Sequence, residues 1–279
     1  MDAMKNLLVP CNPDGAMRPS LEAARLVAGL FGAHVEGVAI APEVPDVLAA
    51  EFTVAVPTLD PDARRDLVQA ARSGFTRFMA EAGLHAGEAT GEEGAFGWSN
   101  DQLVTDLQLG SFGRLFDLIV LGRPSASGDP VRTATVETAL FNSGRPILLA
   151  PPSVPRSIGR TIVIAWNGST ETARTVALGM PFLQRAERVL VLSVEGWAVE
   201  GPSGARLAAS LRRNGIEAEA VTRPMNRSPG EAVLDHAHAF GADLVLKGAY
   251  TQSRLRQMIF GGATRHIIHQ TNLPVLIAH

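Results

Sequence analysis

The chain has 279 residues, 46% of them hydrophobic and 19% charged, with a formal net charge of −3 and a pI near 6.2. That balance excludes a disordered chain and gives no general electrostatic pull toward nucleic acid or an anionic membrane. The single cysteine, Cys11, excludes an internal disulfide. With no signal-like N-terminus and no apolar run of about 18 residues, the chain reads as cytoplasmic and without membrane spans.

In chain order, the first half has short apolar runs that predict strands near 6–10, 34–40, 84–90, 117–121 and 146–149. A helical period follows the first run, from Ser20 to Phe31. Pro42 to Pro61 is rich in proline and apolar residues and reads as a long inserted loop. Ala150 to Gly159, with three prolines, cannot continue a helix or a central strand and reads as a semi-stiff linker. Beyond it, strands are predicted near 161–166, 188–194, 216–222, 243–248 and 274–278. Helices are predicted near 170–183, 202–214, 229–240 and 262–270.

The two series repeat. Leu7-Leu-Val-Pro-Cys-Asn12 matches Ile162-Val-Ile-Ala-Trp-Asn167 at an offset of 155. Asp117-Leu-Ile-Val-Leu-Gly122 matches Asp243-Leu-Val-Leu-Lys-Gly248 at an offset of 126, so the first copy carries 29 extra residues (155 − 126) between its first and fourth strands. Gly144 to Ala150 matches Asn272 to Ala278. Apolar strands without polar alternation, alternating with helices, imply parallel strands buried on both faces. The expected fold is therefore α/β, two tandem doubly wound five-stranded parallel-sheet domains at 1–152 and 159–279. In such sheets a ligand sits beyond the carboxyl ends of the strands, which places Asn12, Asn167, Gly122 and Gly248 at the mouths of the two sites. The final strands, Pro146 to Leu149 and Pro274 to Ala278, are short and apolar. Bare apolar edges aggregate unless covered, so these two are expected to meet across a pseudo-two-fold axis and make the chain its own dimer.

These motifs resemble the universal stress protein family (UspA-like), once per half and over nearly the whole chain. Strand one of that family usually ends in Asp followed by Gly-Ser; here Trp166-Asn167-Gly168-Ser169 stands at that point. The family's nucleotide-binding branch carries Gly-x2-Gly-x9-Gly-[Ser/Thr] after strand four. Here the second copy reads Gly248-Ala-Tyr-Thr251, nine residues, then Gly261-Gly262-Ala263-Thr264. Thr251 replaces the second glycine, Gly262 replaces the final hydroxyl residue, and Thr264 follows two residues on. The first copy departs further, with Arg123-Pro124 opening the loop, Ser125 at the second glycine and Thr135 at the third. The resemblance implies the adenine-nucleotide alpha-hydrolase-like fold for both halves, in a tandem member of the family. It implies ATP or another adenine nucleotide for the second half only. Ala165 and Val194 would flank the base, and Asn167 and Gly248 would approach the ribose.

Physical chemistry supports the phosphate part independently. Glycines let backbone approach phosphate oxygens, and a helix N-terminus presents free amides to an anion. Gly261 and Gly262, just before the 263–270 helical pattern, supply both, and the Thr264 hydroxyl can cap the helix or donate to phosphate. From Ala249 to His269 there are three arginines and no acid, a formal +3, whereas Arg123 to Ser143 sums to zero. The competing reading is a glycine-rich turn that serves packing, with Asn167 closing an Asx turn after strand one.

Other constellations are thinner. His236/His238 and His266/His269 lack a carboxylate or cysteine to complete a metal set, and no metal is expected. Cys11 reads as a buried inert thiol, and Trp98 and Trp166 as packing residues. No paired acid and base stands out, so no enzyme is expected beyond a weak ATPase. The absence of a Ser-Gly-Gly-x-Asp-Ser loop argues against an ATP pyrophosphatase. Two readings remain: a stress-response binding or regulatory protein that takes adenine nucleotide, and a scaffold that binds none and acts through an unknown protein partner. Further oligomerisation is compatible with both.

Overall fold

The computed structural model describes residues 4–12, 17–41, 60–89, 93–99, 101–123, 133–225, 227–249 and 262–279. In the first half the order is β1 (Asn6–Cys11), α1 (Arg18–Phe31), β2 (His34–Ala39), α2 (Pro61–Glu81), β3 (His85–Ala86), β4 (Ala95–Trp98), α3 (Asp106–Phe112), a 3-10 turn (Gly113–Leu115), β5 (Leu118–Gly122), α4 (Thr133–Asn142) and β6 (Ile147–Ala150). The second half continues with β7 (Thr161–Ala165), α5 (Thr170–Leu178), α6 (Met180–Leu183), β8 (Arg188–Val194), α7 (Gly204–Arg213), β9 (Ala218–Arg223), α8 (Pro229–Phe240), β10 (Leu244–Gly248), α9 (Gly262–Gln270) and β11 (Val275–Ala278). Residues 151–160, between β6 and β7, form neither helix nor strand.

The strands form one eleven-stranded sheet in the order β3-β4-β2-β1-β5-β6-β11-β10-β7-β8-β9. Every neighbouring pair is parallel except β6 with β11, which is antiparallel. The expectation of two separate five-stranded sheets is corrected in two respects. The sheets fuse at their apolar edges, and the first half contributes six strands. The unexpected strand is β4, which lies beside β2 as β9 lies beside β8, and β3 is the additional strand at the edge. β4 is four residues long and contains Gly97, where a Cβ would stand 2.9 Å from His34 Nε2. The run expected at 84–90 shrinks to His85–Ala86 at the sheet edge. The predicted 170–183 helix is also broken, at Gly179. A Cβ there would meet Leu246 Cδ2 at 2.8 Å and Leu276 Cδ2 at 3.0 Å, and Pro181 then restarts the next turn. Of the expected 42–61 insertion, residues 42–59 lie outside the described residues, and Asp60 precedes α2, which opens at Pro61.

The seam between the halves obeys a local two-fold. Leu148 pairs with Leu276, flanked by Ile147 with Ile277 and Leu149 with Val275. Leu276 is also the repeat mate of Leu148, at the same offset of 128 (276 − 148) that relates Gly144 to Asn272. Both hydrophobic layers, one on each face of the sheet, therefore run through both halves. Phe31 on α1 meets Phe182 on α6 edge to face, with ring centroids 5.1 Å apart. Arg123, just after β5, donates from Nη1 to the carbonyls of His269 and Thr271 at the end of α9. A cation there also suits the negative end of the helix dipole. Among the described residues no helix is long and apolar enough to cross a membrane.

Cys11 ends β1 at 1% exposure, and its Sγ donates to the Val9 carbonyl at 3.3 Å. Burial pushes its thiol pKa well above the usual range. It is expected to resist a thiol reagent in native buffer and to react fully once guanidinium unfolds the chain. Rapid labelling of the native protein would contradict the buried placement.

Candidate functional site

The second half brings its predicted residues to the carboxyl edge of the sheet in unequal ways. Ala165 ends β7 and Val194 ends β8, and both are buried within the core layer that also holds Ile267 and Ile268 of α9. Trp166 is buried and donates from Nε1 to the Pro202 carbonyl at 2.8 Å, so it packs. Asn167 Oδ1 accepts from the Ser169 amide at 3.2 Å, an Asx turn, and from Thr172 Oγ1 at 2.8 Å. Ser169 then caps α5 by accepting from the Thr172 amide at 3.2 Å. The packing role weighed for Asn167 is thus present: its carboxamide organises the turn that starts α5.

That turn is pressed onto Gly248, the last residue of β10. A Cβ on Gly248 would lie 2.3 Å from the Thr172 amide nitrogen and 2.6 Å from the Glu171 carbonyl carbon. Gly248 is therefore required for close approach of backbone to backbone. Gly262 opens α9, and Thr264 sits in its first turn at 4% exposure. Thr251 and Gly261 lie outside the described residues.

The reading of the sequence passed over the residue that joins these parts. Lys247 is 3% exposed, on the same face of β10 as Val245. Its ammonium donates to the Gly248 carbonyl at 2.7 Å and to Thr264 Oγ1 at 2.9 Å, and stands 5.4 Å from the Trp197 ring centre. Burial pushes its pKa down to about 8, opposed by the charge of Glu171 on α5. Glu171 Oε2 is itself buried without a hydrogen-bond partner among the described residues. The available signal was a lysine inside the otherwise apolar run Leu244–Gly248. Lysines are almost never fully buried without a specific polar environment.

The first half is built differently at the equivalent places. Asn12 donates its amide to Met17 Sδ at 2.8 Å, and Arg123 is committed to the end of α9. A cleft of about 650 Å³ opens between α1 and α2, bounded by Asn12, Arg18, Leu21, Arg77 and Phe78. A neighbouring one of about 560 Å³ lies near Arg25 and Leu84. These open clefts lie on the first half and away from Gly248. Residues 250–261, between β10 and α9, are outside the described residues. Among the described residues no three His, Cys, Asp or Glu side chains converge as a metal set.

Fold and site together define an α/β protein with a fused, largely parallel sheet and a polar cluster beneath one helix N-terminus. Residues 176–279 match the model of the universal stress protein family. A curated relative, the stress response protein NhaX of Bacillus subtilis (strain 168), is 29% identical over 69 residues, which is 25% of this chain and 42% of the relative. The matched segment thus spans less than half of that relative's length. The crystal structure of a universal stress protein from Archaeoglobus fulgidus DSM 4304 is similar with a TM-score of 0.67 at 15% identity, over 98% of this chain and 97% of that one. A functionally unknown protein from Pseudomonas aeruginosa PAO1 is similar with a TM-score of 0.58 at 13% identity, over 99% and 93% of the two chains. At those identities the structures speak to the fold, which extends over both halves.

Proposed function

We propose that the protein is a tandem universal stress protein, with domains at 1–152 and 159–279, that works as a cytoplasmic stress-response binding protein without catalytic activity. Its C-terminal domain takes ATP or another adenine nucleotide, and its N-terminal domain serves as a structural partner. The observation that carries this reading is the cluster of Gly248, Lys247 and Thr264 at the first turn of α9. Buried positive charge, a hydroxyl and a helix N-terminus fit the phosphate groups of a nucleotide. The formal +3 charge over 249–269 favours the same anion. No metal is assigned to the protein's own side chains.

Calorimetry with ATP, on wild type and on Gly262→Asp, tests the site. An aspartate in the first turn of α9 suits the helix dipole, and its charge repels phosphate; circular dichroism checks that the variant is folded. ATP affinity is expected to fall at least about tenfold, the equivalent of roughly 1.4 kcal/mol. Equal binding by both proteins would remove the phosphate from α9. No binding by nucleotide-free wild type would leave the scaffold reading, in which the protein acts through protein contacts alone.

A further inference from the structure

Thr264 is 96% buried in the first turn of α9, and a hydroxyl carries one proton and two acceptor lone pairs. Its oxygen accepts from Lys247 at 2.9 Å. An ammonium can only donate. While Lys247 is protonated, Thr264 cannot turn its proton toward that neighbour and remains a donor for something else. We propose that Lys247 is a positioning residue for anion binding: it holds the Thr264 hydroxyl as a hydrogen-bond donor to a phosphoryl oxygen at the N-terminus of α9. This rests on the nucleotide reading given above and adds a control element to that site.

The mechanism has a direction in pH. Deprotonated Lys247 has a lone pair, and the Thr264 proton turns to it. The anion then loses a donor and a nearby positive charge together. Burial holds Lys247 down to about 8, so the change falls in an accessible range. The groups facing the ammonium among the described residues are Glu171 from α5, which favours the charged form, and three neutral partners: the Gly248 carbonyl, Trp197 after β8 and Thr264 from α9. His266 on α9 acts on Glu231 of α8 instead. Anion affinity is therefore highest below about pH 8 and falls as pH rises through that value. A phosphate ester has its second pKa near 6, so its own charge is constant over this range.

The test is ATP affinity by calorimetry between about pH 7 and 9.5 on wild type and Lys247→Met. Wild-type affinity should fall by at least about tenfold across that range, the size of one charge-assisted hydrogen bond. Lys247→Met should bind at least about tenfold more weakly than wild type at pH 7, with no pH dependence. The wild-type profile stands even if the variant fails to fold. A flat wild-type profile, or a variant that matches wild type in affinity and profile, would overturn the role of Lys247 and leave nucleotide binding intact. No ATP binding by wild type at any pH would overturn both.

Discussion

Leu276→Asp is expected to abolish cooperative folding of the whole chain. Leu276 is fully buried on β11, opposite Leu148 on β6, in the core layer that also holds residues of α1, α5 and α6. Truncating such a leucine to alanine costs about 2–5 kcal/mol. An unpaired carboxylate at the same place adds a desolvation penalty of several kcal/mol. The sum approaches the roughly 5–15 kcal/mol that holds a typical domain folded. Both halves should fail together, because the β6–β11 pair stitches their cores into two shared layers. Two controls set the scale. Leu276→Met should cost less than about 1.5 kcal/mol. Leu115→Asp, at a site 72% exposed, should stay within about 0.5 kcal/mol. Circular dichroism on heating reads all three, and a Leu276→Asp protein melting like wild type would mean that the seam is not where the halves join.

Gly248→Ala is the second substitution with a large expected effect, despite adding one methyl group. Its Cβ would stand 2.3 Å from the Thr172 nitrogen and 2.6 Å from the Glu171 carbonyl carbon, well inside the 3.0 Å that real Cβ contacts respect. Both atoms are backbone at the start of α5, so no side chain can rotate away. Either α5 moves or β10 leaves its register with β11, where Gly248 pairs with Ala278. Overpacking of this kind costs about 3 kcal/mol or more. It would also disturb the Gly248 carbonyl that accepts from Lys247, so the proposed ATP binding should be lost with stability. Gly74→Ala is the matching control. It lies inside α2 with nothing within 4 Å of the added Cβ, and should stabilise by about 0.5–1 kcal/mol. Urea unfolding of the pair reads the difference. A Gly248→Ala protein as stable as wild type would mean that α5 does not rest on β10 as described.

The elements that local pattern determined are the ones with strong periodicity. β8 spans Arg188–Val194 where 188–194 was expected, and α8 spans Pro229–Phe240 where 229–240 was expected. Ser228 and Glu231 form the capping box that starts α8, a signal contained in four consecutive residues. The repeat also located the apolar edge strands β6 and β11, because exposed apolar edges demand a partner. What lay beyond the sequence is what depends on distant chain segments. β4 exists because Gly97 fits against His34 beside β2, and its four residues carry no pattern of their own. The helix expected over 170–183 breaks at Gly179 because leucines of β10 and β11 occupy the space a side chain would need. Arg123 looked like a loop residue of a degenerate site, and only the seam shows that it clamps the end of α9. Asn167 and Gly248 were candidate site residues from the repeat, and the tertiary structure shows that both seat α5 against β10. Lys247 was in plain view in the sequence, yet its meaning depends on Thr264, seventeen residues away and brought within 2.9 Å by the crossover. Periodicity reports which face of an element meets the core; which polar atoms meet across that core is set by packing of elements far apart in the chain.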